Sequence, residues 1–150
     1  MTTSDSSYVL DASVVLKWYL LDEADVARAH GFYRQFVAGN WELRAPSYIR
    51  YEVANGIEAA RLQGRVAAEV ASTQHSRFLG LGFFEKEDPN ALIEAAIGLS
   101  RELSIAPYDA LYLALAEATG IIFVTADHRL YRRIAGRVPY ARWIGDVPLP

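Results

Sequence analysis

The run from Ile121 to Thr125 (IIFVT) constrains this chain more than any other segment. It is continuously apolar and β-branched, the pattern of a strand buried on both faces, as in a parallel sheet. Parallel strands need crossover connections, usually helices, and the flanking sequence supplies them. Pro107 to Thr119 reads as a helix opened by proline and closed by Gly120, and Asp127 to Ile134 as a short helix beyond the strand. Further strands are expected at Tyr8 to Leu10, Glu42 to Ala45, Gly82 to Glu85 and Ala141 to Ile144. Helices are expected at Val14 to Leu21, Glu23 to Phe36, Ser47 to Gln63 with Ser47 as N-cap, Val66 to Leu79, and Pro89 to Leu103 with Asp88 as N-cap. Helical spacing of apolar residues supports three of these: Val26, Ala29, Phe32, Tyr33 and Phe36; Ile49, Val53, Ile57 and Ala60; and Leu92, Ala96, Leu99 and Leu103. Strands alternating with helices imply an α/β fold, a three-layer α/β/α sandwich around a parallel sheet. A chain of 150 residues accommodates this as one domain, residues 1–150, with its own core.

Composition removes several chemistries. There is no cysteine, which excludes disulfide scaffolds, thiolate metal sites and thiol catalysis. The three histidines, His30, His75 and His128, have no partner at zinc-ligand spacing. The polar start MTTSDSS shows no basic stretch followed by an apolar run, and no segment approaches the roughly 20 apolar residues of a membrane span. The expectation is a cytoplasmic protein with no membrane partner. The net charge of −3 argues against a general nucleic-acid binder. Within the total, however, the basic residues are almost all arginine, and five of them, Arg129, Arg132, Arg133, Arg137 and Arg142, fall close together. They read either as a solvated face or as bidentate phosphate contacts.

Four acids draw notice: Asp11 and Asp127 at strand ends, Asp109 at a helix start and Glu52 within a helix. Asp11 and Asp127 follow strands at their carboxyl ends, where open α/β sheets bind ligands. Each acid also has a plain structural explanation. Asp11 and Asp127 suit N-caps, Asp109 suits the first turn of its helix, and Glu52 reads as a mid-helix residue like most exposed glutamates. Taken together they suggest a carboxylate cluster, which cannot stay ionised without a cation. Oxygen donors of this kind suit Mg²⁺ or Mn²⁺, and such sites cut phosphodiesters. Ser13 and Thr125, two residues from Asp11 and Asp127, can support the site with hydroxyls, and Asn55 lies three residues beyond Glu52 on the same helix.

The strings VLDASVVLKWYL, YEVANGIEAARLQG, APYDALYLALAEATG and FVTADHRLYRR resemble the PIN-domain family, in particular the VapC-type ribonuclease toxins of toxin–antitoxin pairs, over essentially the whole chain. The resemblance implies a parallel five-stranded sheet between helices, and a catalytic and metal-binding quartet of Asp11, Glu52, Asp109 and Asp127. Ser13, Thr125 and Asn55 would support the quartet. The implied activity is Mg²⁺- or Mn²⁺-dependent endoribonucleolysis by a metal-activated water, leaving 5′-phosphate and 3′-hydroxyl ends. The implied partners are a structured RNA substrate, a cognate VapB-type antitoxin and a second copy in a homodimer. Arg129, Arg132 and Arg133 are the candidates to hold RNA phosphates, and Tyr108 to stack on a base; Tyr112 reads rather as core.

Other readings remain open on the residues: a PIN nuclease of RNA processing outside toxin pairs, or a catalytically silent interaction module. A phosphatase-like hydrolase with Asp11 as nucleophile needs an acid two residues on, where this chain has Ser13. Trp18, Tyr19, Phe32, Tyr33, Phe36, Trp41, Phe83 and Phe84 read mainly as core, with some early helix-borne rings available to an interface.

Overall fold

A computed structural model describes residues 6–150; residues 1–5 of the polar N-terminal segment lie outside the described residues. The chain runs β1 (Ser7–Leu10), α1 (Ala12–Val15) continued by a 3-10 turn (Leu16–Trp18), α2 (Val26–Val37), β2 (Glu42–Arg44), α3 (Ile49–Leu62), α4 (Ala68–Leu81), α5 (Asn90–Leu103), α6 (Pro107–Thr119), β3 (Ile122–Thr125), α7 (His128–Ile134) and β4 (Ala141–Trp143), then a 3-10 turn (Ile144–Asp146). The strands form one parallel sheet in the order β2-β1-β3-β4, flanked by helices. Tyr8, Val9 and Leu10 pair with Ile122, Phe123 and Val124, so β1 and β3 are central neighbours although the whole helical region separates them in sequence. Every residue of β1 is buried, and so are Phe123, Val124 and Thr125 of β3, as two-sided burial demands.

The sheet has four strands rather than five. The expected strand at Gly82 to Glu85 is reduced to one parallel bridge between Ala45 and Phe84, with Glu85 N donating to Ala45 O at 2.9 Å. Successive side chains of a strand point to opposite faces. Here both Phe83 and Phe84 pack on Phe78, with ring centroids 6.2 and 5.4 Å away, which holds the segment out of regular extension.

The helix faces expected from spacing are buried: Ile49, Val53, Ile57 and Ala60 on α3, and Leu92, Ala96 and Leu103 on α5 with Leu99 partly covered. α6 is the central helix. Its residues 110–116 are all buried, because it packs on β1 and β3 and also against α5. Gly120 ends it in the left-handed conformation (φ +69°) that glycine adopts without strain. The first helix is shorter than expected: α1 gives way to the 3-10 turn at Leu16. The aromatic residues that read as core from the sequence join it or pack on it. Trp18 and Phe32 are fully within it, and the Trp18 indole donates to Ala29 O at 2.7 Å.

Neither expected cap holds its own helix. Ser47 does not cap α3; that helix begins at Ile49 with Tyr48 as N-cap. Asp88 does not cap α5, where Pro89 occupies the N-cap position. Instead the Asp88 carboxylate accepts from Ser47 N at 2.6 Å and Tyr48 N at 3.0 Å, supplying the missing acceptors at the start of α3 from across the fold. The later start moves Glu52 from mid-helix into the first turn.

Candidate functional site

The pairing of Leu10 with Val124 fixes the centre of the site. One step beyond, Asp11 and Thr125 emerge side by side, and Asp11 N donates to Val124 O at 3.4 Å. Asp11 opens α1 as its N-cap, and Oδ1 accepts from Ser13 N at 3.0 Å and from the Ser13 hydroxyl. Thr125 Oγ1, fully buried, donates to Oδ2 at 2.5 Å. Both hydroxyls also accept from the loop after β3: Ser13 Oγ from Ala126 N at 2.9 Å, Thr125 Oγ1 from Asp127 N at 3.0 Å. Ser13 and Thr125 therefore tie the two strand ends together and set both oxygens of the Asp11 carboxylate.

The other acids reach the same region from three more helices. Glu52 is half-buried in the first turn of α3, and its Oε1 accepts from the Tyr112 hydroxyl at 2.6 Å. Asp109 lies in the first turn of α6, three residues before Tyr112 and so on the same helical side. Asp127 is the N-cap of α7, its Oδ1 accepting from Arg129 N at 2.9 Å and Leu130 N at 3.1 Å. Asp11 and Asp127 are thus the caps that the plain explanation required and members of the acidic group as well. Four helices direct N-terminal ends, which favour negative charge, toward one region.

The carboxylates feel one another. Burial, the largest cause, pushes Asp11 up to about 7; Ser13 and Thr125 pull it back, and the charges of Glu52 and Asp109 push it further. Burial raises Glu52, opposed by the Tyr112 hydrogen bond and reinforced by Asp109 and Asp127. Burial and then Asp127 raise Asp109. The ion pairs found among the described residues, such as Arg44–Glu85 and Arg65–Asp22, lie elsewhere, so no basic side chain neutralises this group. Among the described residues no three acidic or histidine side chains are drawn close enough to form a finished metal cage. The group is an all-oxygen donor set with excess negative charge, and its chemistry fits a hard divalent cation.

A cleft of about 310 Å³ runs past Asp109 and Asp127 and is lined also by Ser104, Ile105, Ala106, Arg129, Leu130 and Arg133. Arg129 and Arg133 therefore share the cleft with the acids. Arg132 instead donates to His128 O at 3.3 Å along its own helix, Arg137 to Glu102 O at 2.8 Å, and Arg142 to Pro139 O at 2.7 Å. Asn55 is exposed on α3 and makes no hydrogen bond to Glu52 among the described residues; Tyr112 holds that side chain. Tyr112 is core, as its sequence context indicates, and a site residue too. The readable signal was a phenol within an apolar helix, which must find an acceptor, one turn after Asp109. Larger cavities, about 690 and 590 Å³, open beside Trp18 and Tyr33 and between α3 and α4, away from the acids.

Residues 8–136 match the sequence model of the PIN domain. The fold is similar to that of a solved protein from Pyrobaculum aerophilum, with 24% identity, a TM-score of 0.68, and coverage of 93% of this chain and 91% of that one. It is similar also to VapBC2 of Rickettsia felis, solved bound to a DNA fragment from its promoter, with 15% identity, a TM-score of 0.63 and coverage of 91% and 96%. A third is VapC20 of Mycobacterium tuberculosis, a sarcin-ricin loop cleaving toxin, with 16% identity, a TM-score of 0.59 and coverage of 83% and 93%. At these identities the likeness is one of fold. No curated protein matches the chain significantly.

Proposed function

The chain belongs to the PIN-domain family, and from that premise we propose that it is a VapC-like toxin: a Mg²⁺- or Mn²⁺-dependent endoribonuclease held in check by a VapB-type antitoxin. One observation carries the reading. Asp11 is 6% exposed, has no basic partner among the described ion pairs, and lies within electrostatic reach of Glu52 and Asp109. A purely structural acid in that position would be replaced at a gain in stability, since an unpaired buried charge is costly.

Asp11, Glu52, Asp109 and Asp127 are the residues that would hold the cation. When bound, it supplies positive charge against these carboxylates and against the charge that builds on the phosphodiester during cleavage. The chain's own residues do the positioning. Ser13 and Thr125 keep the Asp11 oxygens in place and tie them to the β3 loop. The Tyr112 hydroxyl fixes Glu52 across the pocket. Arg129 and Arg133, on the cleft that contains Asp109 and Asp127, would take the phosphates flanking the scissile one. The overall acidity of the chain limits bulk attraction of RNA, so recognition falls to local contacts and to the shape of a structured loop. The VapC20 and VapBC2 likenesses support the RNA substrate and the antitoxin partner. A homodimer and a cytoplasmic location belong to the same proposal; no helix among the described residues is long and apolar enough to cross a membrane.

The test is RNA cleavage by purified protein with Mg²⁺ or Mn²⁺, with chelator, and with the variants Asp11→Asn and Asp109→Asn, together with end-mapping of cellular RNA after induction. Chelator and either substitution should remove at least about 99% of the activity, since each takes a charge from the cation's ligands. Parental rates in both variants would refute the site, and growth unaffected by induction without the antitoxin would refute the toxin role.

A further inference from the structure

A second feature adjoins the acids on the same two helices. Tyr48, the N-cap of α3, and Tyr108, in the first turn of α6, stack face to face with centroids 4.6 Å apart and planes 5° from parallel. Tyr51 extends the group, its ring 6.1 Å from that of Tyr48, and the Arg50 guanidinium lies 5.8 Å from the Tyr51 ring. Tyr108 is 57% exposed and Tyr51 65% exposed, high values for aromatic rings. Tyr108 precedes Asp109 directly, and Tyr51 precedes Glu52 directly. Tyr48 feels Glu52 and Asp109: burial raises its phenol first, and those carboxylates add to the rise. Tyr48 thus lies within electrostatic reach of the acids, and Tyr108 stacks on it.

Their support is rigid. Asp88 fixes the backbone amides of Ser47 and Tyr48. Arg50 donates to Ser47 O at 3.2 Å and to Ser47 Oγ at 2.6 Å, which leaves its guanidinium spread beside the rings. With one face of Tyr108 covered by Tyr48, the remaining exposure belongs to the opposite face and the ring edge. A flat, solvent-facing ring held in place next to a phosphodiester site matches the geometry of a base-stacking platform in single-stranded nucleic-acid recognition.

We propose that Tyr108, backed by the stacked Tyr48 and flanked by Tyr51, is a subsite for an unpaired base of the RNA adjoining the cleaved phosphate. The inference rests on the ribonuclease reading above and adds what the substrate must present there: a splayed base with a free π-face, rather than a paired one. Stacking accepts any base, so the platform selects for single-strandedness and not for sequence. Tyr108 is a binding residue and Tyr48 a positioning residue that sets the tilt of its ring.

The test is binding, scored apart from cleavage. Anisotropy of a fluorescently labelled single-stranded RNA of mixed sequence is measured with Ca²⁺ in place of Mg²⁺, alongside an abasic strand of the same length. The parent should bind the RNA more tightly than the abasic strand. Tyr108→Ala should weaken RNA binding about 10-fold and leave abasic binding unchanged, while Tyr108→Trp restores the RNA affinity. Tyr48→Ala should weaken RNA binding in the same direction by a smaller factor. Equal loss on both strands, no loss in Tyr108→Ala, or a parent indifferent to the bases would overturn the platform. Base-dependent binding in a parent that cleaves no RNA with any divalent cation would instead overturn the nuclease reading and leave the platform standing.

Discussion

Replacing Asp11 by Asn in the metal-free protein should reverse the sign of a stability difference across the pH scale. The carboxyl sits at about 7 in the fold against its ordinary 3.8, with burial as the main cause. Between these values the unfolded chain ionises while the folded one keeps its proton. Folding then takes up a proton, so stability falls as pH rises, and the loss is complete above the folded pKa. Moving from 3.8 to about 7 corresponds to about 4 kcal/mol, a large share of the stability of a small domain. Asn removes this dependence at modest cost, about 1 kcal/mol for rearranged hydrogen bonds: its amide oxygen still accepts from Ser13, and its NH₂ donates to Thr125 Oγ1. In chelator, urea unfolding should therefore find the variant equal to or slightly weaker than the parent near pH 4 and stronger by about 3 kcal/mol near pH 8. Magnesium should stabilise the parent at pH 8, by about 2.7 kcal/mol at a hundred times its Kd, and the variant much less. A difference between variant and parent that stays flat across this range would show that Asp11 titrates as an ordinary carboxyl and would refute the buried, unneutralised site.

Tyr112→Phe deletes the donor to Glu52 while keeping the buried ring; cleavage at limiting Mg²⁺ should fall by about 10-fold or more, recovering in part as Mg²⁺ is raised. Asp88→Ala leaves Ser47 N and Tyr48 N without their acceptors and should lower the unfolding free energy by about 1–2 kcal/mol in denaturant titration; no loss would mean solvent replaces the cap. Phe32→Ala empties a fully buried site packed by Tyr8 and Trp41 and should cost about 3–5 kcal/mol in the same titration. Arg132→Ala should change RNA affinity less than Arg129→Ala or Arg133→Ala, because only the latter two line the acidic cleft; the reverse ranking in anisotropy would move the phosphate track to the outer face of α7.

Periodicity was a good guide wherever one element met the core on its own terms. The strand at Ile122–Thr125, the buried face of α3 and the Gly120 stop of α6 follow from local pattern, because burial, spacing and left-handed backbone are properties of a few neighbouring residues. Local pattern misplaced what depends on a distant partner. Ser47 gave up its expected cap to Asp88 because a carboxylate some forty residues along supplied the acceptors. The fifth strand dwindled to a bridge because Phe78 claimed two successive rings. Tyr112 was legible as core but not as the holder of Glu52, since that bond joins α3 to α6.

The sequence by itself determined a parallel α/β chain with acids at two strand ends, at one helix start and within one helix, and it carried the signature of a family. Only the tertiary structure decided that those acids share one field. Pairing Leu10 with Val124 puts Asp11 against Thr125 across more than a hundred residues of chain. Packing α6 on those same strands brings Asp109 into reach. The physical reason is that a carboxylate's chemistry depends on its distance from other charges and from water, and both are set by contacts between segments that no local pattern records.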